Sequence, residues 1–217
     1  MKYKLVCFDL DGTIVDETIF IWDTIHDFCG VPKEARRKAY DNFISKKITY
    51  NQWYEGDRIE LKKVGCNKEK IFKAIKPLKL MPGALETLKE LKKRGLKLAL
   101  ISGSLDVVLD YLIPNYKEIF DDVLINKISF DKEGNISGGK STPFDFEHKA
   151  TGLKMICKNE KINLKESVFV GDNHNDIHIA EIAGLSIAFN CKSDTLAQIS
   201  DVVIKKKDLR EILKFID

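Results

Sequence analysis

The chain has 217 residues, of which 44% are hydrophobic and 32% charged, with a formal net charge of +3. That length can bury a core and carry one domain with a modest insertion, and the composition is ordinary for a soluble globular protein. No apolar run approaches the roughly 18–20 residues of a membrane span, and Lys and Arg are mixed with Asp and Glu, which excludes membrane-spanning and nucleic-acid-binding classes.

Residues 1–10 lack a secretory cleavage pattern, so a cytoplasmic location is expected. The five cysteines, Cys7, Cys29, Cys66, Cys157 and Cys191, form no CxxC pair. Their scatter predicts reduced thiols and no zinc site.

In chain order, residues 4–10 (KLVCFDL) read as a buried strand feeding a loop. Residues 14–77, rich in aromatics, Lys and Glu, read as helical. Pro82-Gly83 opens a helix with Leu85, Leu88 and Leu91 on one face and Gly95 as its stop. Residues 96–101 (LKLALI) form a second apolar strand. A hairpin is predicted from 123–130 and 136–137 around Glu133-Gly134-Asn135. Then come a helix over 146–159, a strand over 167–170, a helix over 177–183, strands over 185–189 and 202–204, and a closing helix over 208–216.

From Gly83 onward strand and helix alternate, which predicts an α/β fold with a parallel sheet covered by helices. The helical stretch after the first strand interrupts that alternation and reads as an inserted small helical cap. Ligands in such sheets gather at the carboxyl ends of strands. Polar clusters fall at those ends: residues 9–13, Ser102-Gly103, and residues 171–176.

Asp9 and Asp11 lie at i and i+2 on an extended segment, so their carboxylates point the same way. Alone, the pair is equally a turn or a helix cap. A second acidic cluster, Asp172 to Asp176, changes that balance. Carboxylates converging from two strand ends make an oxygen-rich site suited to Mg²⁺, and a cation relieves their mutual repulsion. His174 reads as a loop side chain, since hard Mg²⁺ prefers oxygen.

These motifs resemble the haloacid dehalogenase superfamily: DLDGT at 9–13, Ser102 in LISGS, Lys149 in EHKATG, and GDNHNDIHIA from Gly171, in that order. The resemblance implies a Rossmann-like core of residues 1–14 and 78–217 with a cap of residues 15–77. It implies a Mg²⁺-dependent phosphomonoesterase acting through an aspartyl-phosphate. Asp9 becomes the nucleophile and Asp11 the acid–base. Asp9, the carbonyl of Asp11 and Asp172 hold Mg²⁺, with Asn175 and Asp176 in support. Gly12, Thr13, Ser102, Gly103 and Lys149 receive the phosphoryl group.

Within the superfamily the chain is most similar to the phosphoserine phosphatase group, through Asp16-Glu17-Thr18, the hairpin before Lys149, and the tail ending KKKDLREILKFI. That likeness implies a small phosphorylated metabolite as substrate, phosphoserine being the named candidate, and assigns Glu17 to the substrate ammonium. The carboxylate-binding arginine of the group meets Asp57 here, with Arg58 one residue late, a rotation of about 100° on a helix. The cap aromatics Phe20, Trp22, Phe43, Tyr50, Trp53 and Tyr54 read mainly as cap core, with one or two in the pocket. The alternatives are another phosphate ester (sugar phosphate, nucleotide or phosphorylated alcohol), a phosphotransferase, or a silent binding module. Oligomeric state has no signature in the sequence.

Overall fold

The computed structural model describes residues 2–217. Strand β1 (Leu5–Phe8) is wholly buried, as the unbroken run LVCF requires when both faces of a sheet are covered. The chain then makes a tight turn into β2 (Val15–Asp16) and runs through four helices, α1 (Ile21–Cys29), α2 (Lys33–Ile44), α3 (Tyr50–Lys63) and α4 (Lys68–Ile75). It returns through β3 (Lys79–Leu80), which pairs antiparallel with β2. The predicted helical stretch is therefore four helices hung from a two-residue ribbon.

Next come α5 (Ala84–Lys93), β4 (Lys97–Leu105), α6 (Asp106–Leu112), α7 (Tyr116–Ile119), and the hairpin β5 (Asp122–Phe130) and β6 (Ile136–Lys140). The remainder is α8 (Lys149–Glu160), β7 (Ser167–Gly171), α9 (Ile177–Ala180), β8 (Leu185–Phe189), α10 (Asp194–Ile199) and β9 (Val202–Ile204). Two predicted helices are shorter or tighter than expected. A 3₁₀ turn at Phe146–His148 precedes α8, and the closing helix is a 3₁₀ segment, Leu209–Lys214.

The main sheet has the order β6-β5-β4-β1-β7-β8-β9, parallel except for β6. Building outward from β1 first to β4 and later to β7 puts the topological switch at β1, where an open parallel sheet leaves a crevice. One face of β1 packs Val6 and Phe8 into the larger apolar core. The other sends Leu5 and Cys7 into a smaller one with Leu153, Ile156 and Phe169.

The cysteine expectation needs correction. Cys29, ending α1, and Cys66, just before α4, are joined in a disulfide with their Cα atoms 5.8 Å apart. The 37 residues between them hid this, because only the packing of α1 on α4 brings the two together. Cys7 and Cys157 are free and buried, as expected, and Cys191 is free and half-buried.

Candidate active site

The crevice at the switch point is where the predicted motifs meet. Asp9 follows β1 and Asp172 follows β7, and the register of those strands sets the two side by side. Asp9, Asp172 and Asp176 are all buried, each offering one oxygen within 4.8 Å of the others. Gly12 makes the closeness possible. Its φ is +74°, and a Cβ there would stand 2.1 Å from Asp172 Oδ2.

Lys149 opens α8 and is completely buried, with its Nζ 2.9 Å from Asp9 Oδ1 and 2.7 Å from Asp176 Oδ1. Burial works to lower its pKa, but the carboxylates of Asp176, Asp9 and Asp145 outweigh burial and hold it above the ordinary lysine range. Asp176 also accepts from the backbone N–H groups of Asp172 and Asn173 at 2.9 and 3.2 Å, tying the β7 loop to the lysine.

Asp11 turns the other way. Its Oδ2 accepts from the Ile21 N–H at the start of α1, and its Oδ1 from the Ser104 hydroxyl, both at 2.8 Å. Burial and the charge of Asp9 push it up to about 7. A carboxyl poised there can give and take a proton near neutral pH.

Asp172 is pushed up to about 8, by burial first and then by Asp9 and Asp176. Lys192 reaches its Oδ2 at 2.9 Å, while its Oδ1 is buried without a hydrogen-bond partner. Three crowded carboxylates with an unsatisfied oxygen fit a hard divalent cation, since Mg²⁺ takes oxygen ligands and removes this conflict. Thr13 Oγ1 and Asn175 Oδ1 are likewise buried and unsatisfied. Ser102 is buried, its Oγ accepting from the Ser104 N–H at 3.2 Å.

A cavity of about 600 Å³ opens from Asp9, Asp11, Ser102, Gly103 and Asn175 into the space under α1–α3. His174 lines it, edge-on to Phe20 and Phe146 with centroids 5.8 Å away in each case. Burial lowers the pKa of His174.

The two substrate residues expected in the cap are not in this cavity. Glu17 is exposed in a left-handed turn, its N–H bonded to the Asp16 side chain. Arg58 is turned onto Glu55 at 2.5 Å and over the Tyr54 ring, on the side facing Gly138 of β6. Asp57 lines the cavity instead.

Four residues were missed from sequence. Ser104 could have been found, because on a strand it shares a face with Ser102 two residues before. Asp145, at the start of the 3₁₀ turn, lies so close to Gly103 that a Cβ there would be 1.9 Å from its Oδ2. Asn126 donates to the Gly103 carbonyl at 2.6 Å, and Lys192 reaches Asp172 from the loop after β8. Those three belong to no motif and needed the sheet order.

Residues 3–184 match the family model of haloacid dehalogenase-like hydrolases. The chain belongs to that family. It is 38% identical to the phosphoserine phosphatase of Methanocaldococcus jannaschii, over 99% of this chain and 98% of that protein. It is 31% identical to the phosphoserine phosphatase of Archaeoglobus fulgidus, over 95% of this chain and 58% of that one. Two solved structures align over the full length of both chains with a TM-score of 0.77. One is a phospho-aspartyl intermediate analogue of phosphoserine phosphatase, at 35% identity, and the other a substrate-bound phosphoserine phosphatase complex, at 33%. The family member described here is a phosphoric monoester hydrolase. No helix among the described residues is long and apolar enough to cross a membrane.

Proposed function

We propose that this hydrolase cleaves the phosphate ester of a small metabolite in two steps through Asp9, with Mg²⁺ as cofactor. The observation that carries the reading is the buried Lys149 ammonium between Asp9 and Asp176, with Asp11 nearby and shifted to about 7. Asp9 attacks phosphorus in line, and the bond to the leaving oxygen breaks as Asp11 delivers its proton there. Asp11, now a carboxylate, takes a proton from water as that water attacks phosphorus, and inorganic phosphate leaves with Asp9 restored. Ser102 and the backbone of Gly12 and Thr13 donate to the phosphoryl oxygens, and Lys149 holds Asp9 in position while countering the incoming charge.

Asp9, Asp172 and the Asp11 carbonyl are the proposed Mg²⁺ ligands, with Asp176 and Asn175 behind them. When bound there, the ion would supply positive charge that offsets the repulsion between the carboxylates and an incoming phosphate. Residues 15–77 serve as a cap that closes the leaving-group side and excludes water.

Release of phosphate from p-nitrophenyl phosphate with Mg²⁺, and its loss in Asp9→Asn, tests this reaction. Undiminished turnover in that variant would refute the nucleophile assignment. O-phosphoserine is the first natural ester to assay, given the relatives' names. A second reading, an alcohol other than serine, is favoured by Asp57 facing the cavity while Glu17 and Arg58 do not.

A further inference from the structure

The catalytic residues account for the floor of the cavity. Its roof is built from α1 and α3 and has its own chemistry. Trp22 and His26 lie one turn apart on α1, and Tyr54 and Asp57 one turn apart on α3. The rings interlock, with Trp22 centred 5.8 Å from His26 and 5.7 Å from Tyr54. Trp22 Nε1 donates to the Gly103 carbonyl at 3.0 Å, beside Ser102, so this roof stands directly over the place where phosphate is held.

His26 and Asp57 are 2% and 7% exposed, yet they do not satisfy each other. His26 Nε2 has no hydrogen-bond partner and lies 3.8 Å from Asp57 Oδ1. That gap is too wide for a direct bond. A single hydroxyl set between the two closes it with legs of about 2.8 Å, donating to one and accepting from the other.

Charged side chains of both signs surround the pair. Lys33, Arg36 and Arg37 share the cavity with Asp23, Asp27 and Asp57. Arg36, whose charge acts on Asp57, is already held by Asp23 at 3.0 Å and Asp27 at 2.5 Å. Burial lowers His26 to about 4 and raises Asp57 to about 8, so near neutral pH this pair meets a ligand uncharged. That pair offers no charge to a leaving group's own carboxylate or ammonium. A leaving group with several hydroxyls and an apolar C–H face matches the roof, since flat rings take the face and the buried polar pair takes a hydroxyl.

We propose that the leaving group is an uncharged polyol: the site takes the phosphate monoester of a sugar or sugar alcohol, with one hydroxyl bridging His26 and Asp57 and a carbon face against Trp22 and Tyr54. This rests on the phosphomonoesterase reading above and names its substrate class.

The test is a kinetic panel on the full-length protein with Mg²⁺: p-nitrophenyl phosphate, O-phosphoserine, and a set of hexose, pentose and glycerol phosphates. The best polyol ester is expected to exceed O-phosphoserine in kcat/KM by about 100-fold or more, because a site built to bind a hydroxyl discriminates strongly against ligands that leave its polar groups unpaired. In Asp57→Asn and His26→Gln, kcat/KM for that ester is expected to fall about tenfold further than for p-nitrophenyl phosphate, mainly through KM. The panel on the unaltered protein stands even if a variant folds poorly. Turnover of p-nitrophenyl phosphate with O-phosphoserine preferred to every polyol ester overturns this inference alone. Absence of turnover on any ester overturns the phosphatase reading with it. Equal losses on both substrates in both variants remove the bridging role.

Discussion

The Ser104 hydroxyl donates to Asp11 Oδ1 at 2.8 Å across 93 residues of chain, joining the end of β4 to the loop after β1. A hydrogen bond to the charged form of a carboxylate lowers its pKa, so Ser104 restrains a shift that burial and Asp9 drive upward. Ser104→Ala is expected to raise Asp11. For an alkyl phosphate, whose leaving oxygen needs a proton, the descending limb of kcat/KM against pH moves to higher pH. An unmoved limb would show that Asp11 is not the acid.

Lys149 is worth more to the fold than a surface lysine. Removing it in Lys149→Met leaves Asp9 and Asp176, both buried, without the cation between them. Breaking a buried pair in this way costs about 3–5 kcal/mol. A lower midpoint of thermal unfolding without metal, recovered in part by Mg²⁺, is the expected result.

Asp172 gives a stability dependence on pH with a definite sign. Its folded pKa, about 8, lies above the ordinary 3.8, so the folded state binds the proton more tightly than the unfolded one. Its contribution is fully present below that ordinary value and is lost as pH rises through the folded one. Metal-free protein should therefore lose stability across this window, while Mg²⁺, which binds the deprotonated site, should stabilise more at pH 8 than at pH 5. Thermal melts with and without Mg²⁺ across that range measure both; identical Mg²⁺ shifts at the two ends would remove Asp172 from the ligand set.

Gly12→Ala should be among the most damaging single-methyl changes in the molecule. The new Cβ would enter the space of Asp172 Oδ2 while the backbone is held at φ +74°. Strain of this type costs about 1–3 kcal/mol. The cost falls on the site itself, so kcat should drop by more than the thermal midpoint suggests. Steady-state kinetics beside a melt will separate the two.

The core was legible because its signals are local. An unbroken apolar run such as LVCF can only be a strand covered on both faces, and each polar cluster sat directly after such a run. The order of the sheet then brought Asp9, Asp11, Ser102, Lys149, Asp172, Asn175 and Asp176 to one crevice. The cap was less legible because its specificity is read across helices. Glu17 and Arg58 were assigned by likeness at fixed positions, but Glu17 sits in a left-handed turn before α1, and on a helix one residue of offset changes the face that Arg58 presents. Arg58 accordingly lies on Tyr54 and Glu55, and Asp57 takes the inward place. The cystine between Cys29 and Cys66 escaped for the same reason, since two distant cysteines meet only after α1 and α4 have packed.

The ribbon of Val15–Asp16 against Lys79–Leu80 ties the two ends of the α1–α4 stretch together, and a single bridge, Asn67 to Asn135, joins the start of α4 to the turn between β5 and β6. Elsewhere the helices share the larger apolar core with the sheet side, through Ile21, Ile25 and Ile71 among others, and polar latches add to it, among them Trp22 to the Gly103 carbonyl and the Tyr54 hydroxyl to the Lys127 carbonyl at 2.5 Å. Each latch is worth about 1 kcal/mol net, and both can be remade with water. Swinging the four helices about that ribbon would keep the α1–α4 contact and the cystine within it, while parting the apolar side chains they share with the sheet side. For the proposed reaction, departure of the alcohol would then be a door turning on its hinge, resisted by that apolar seam, with no part of the door having to melt.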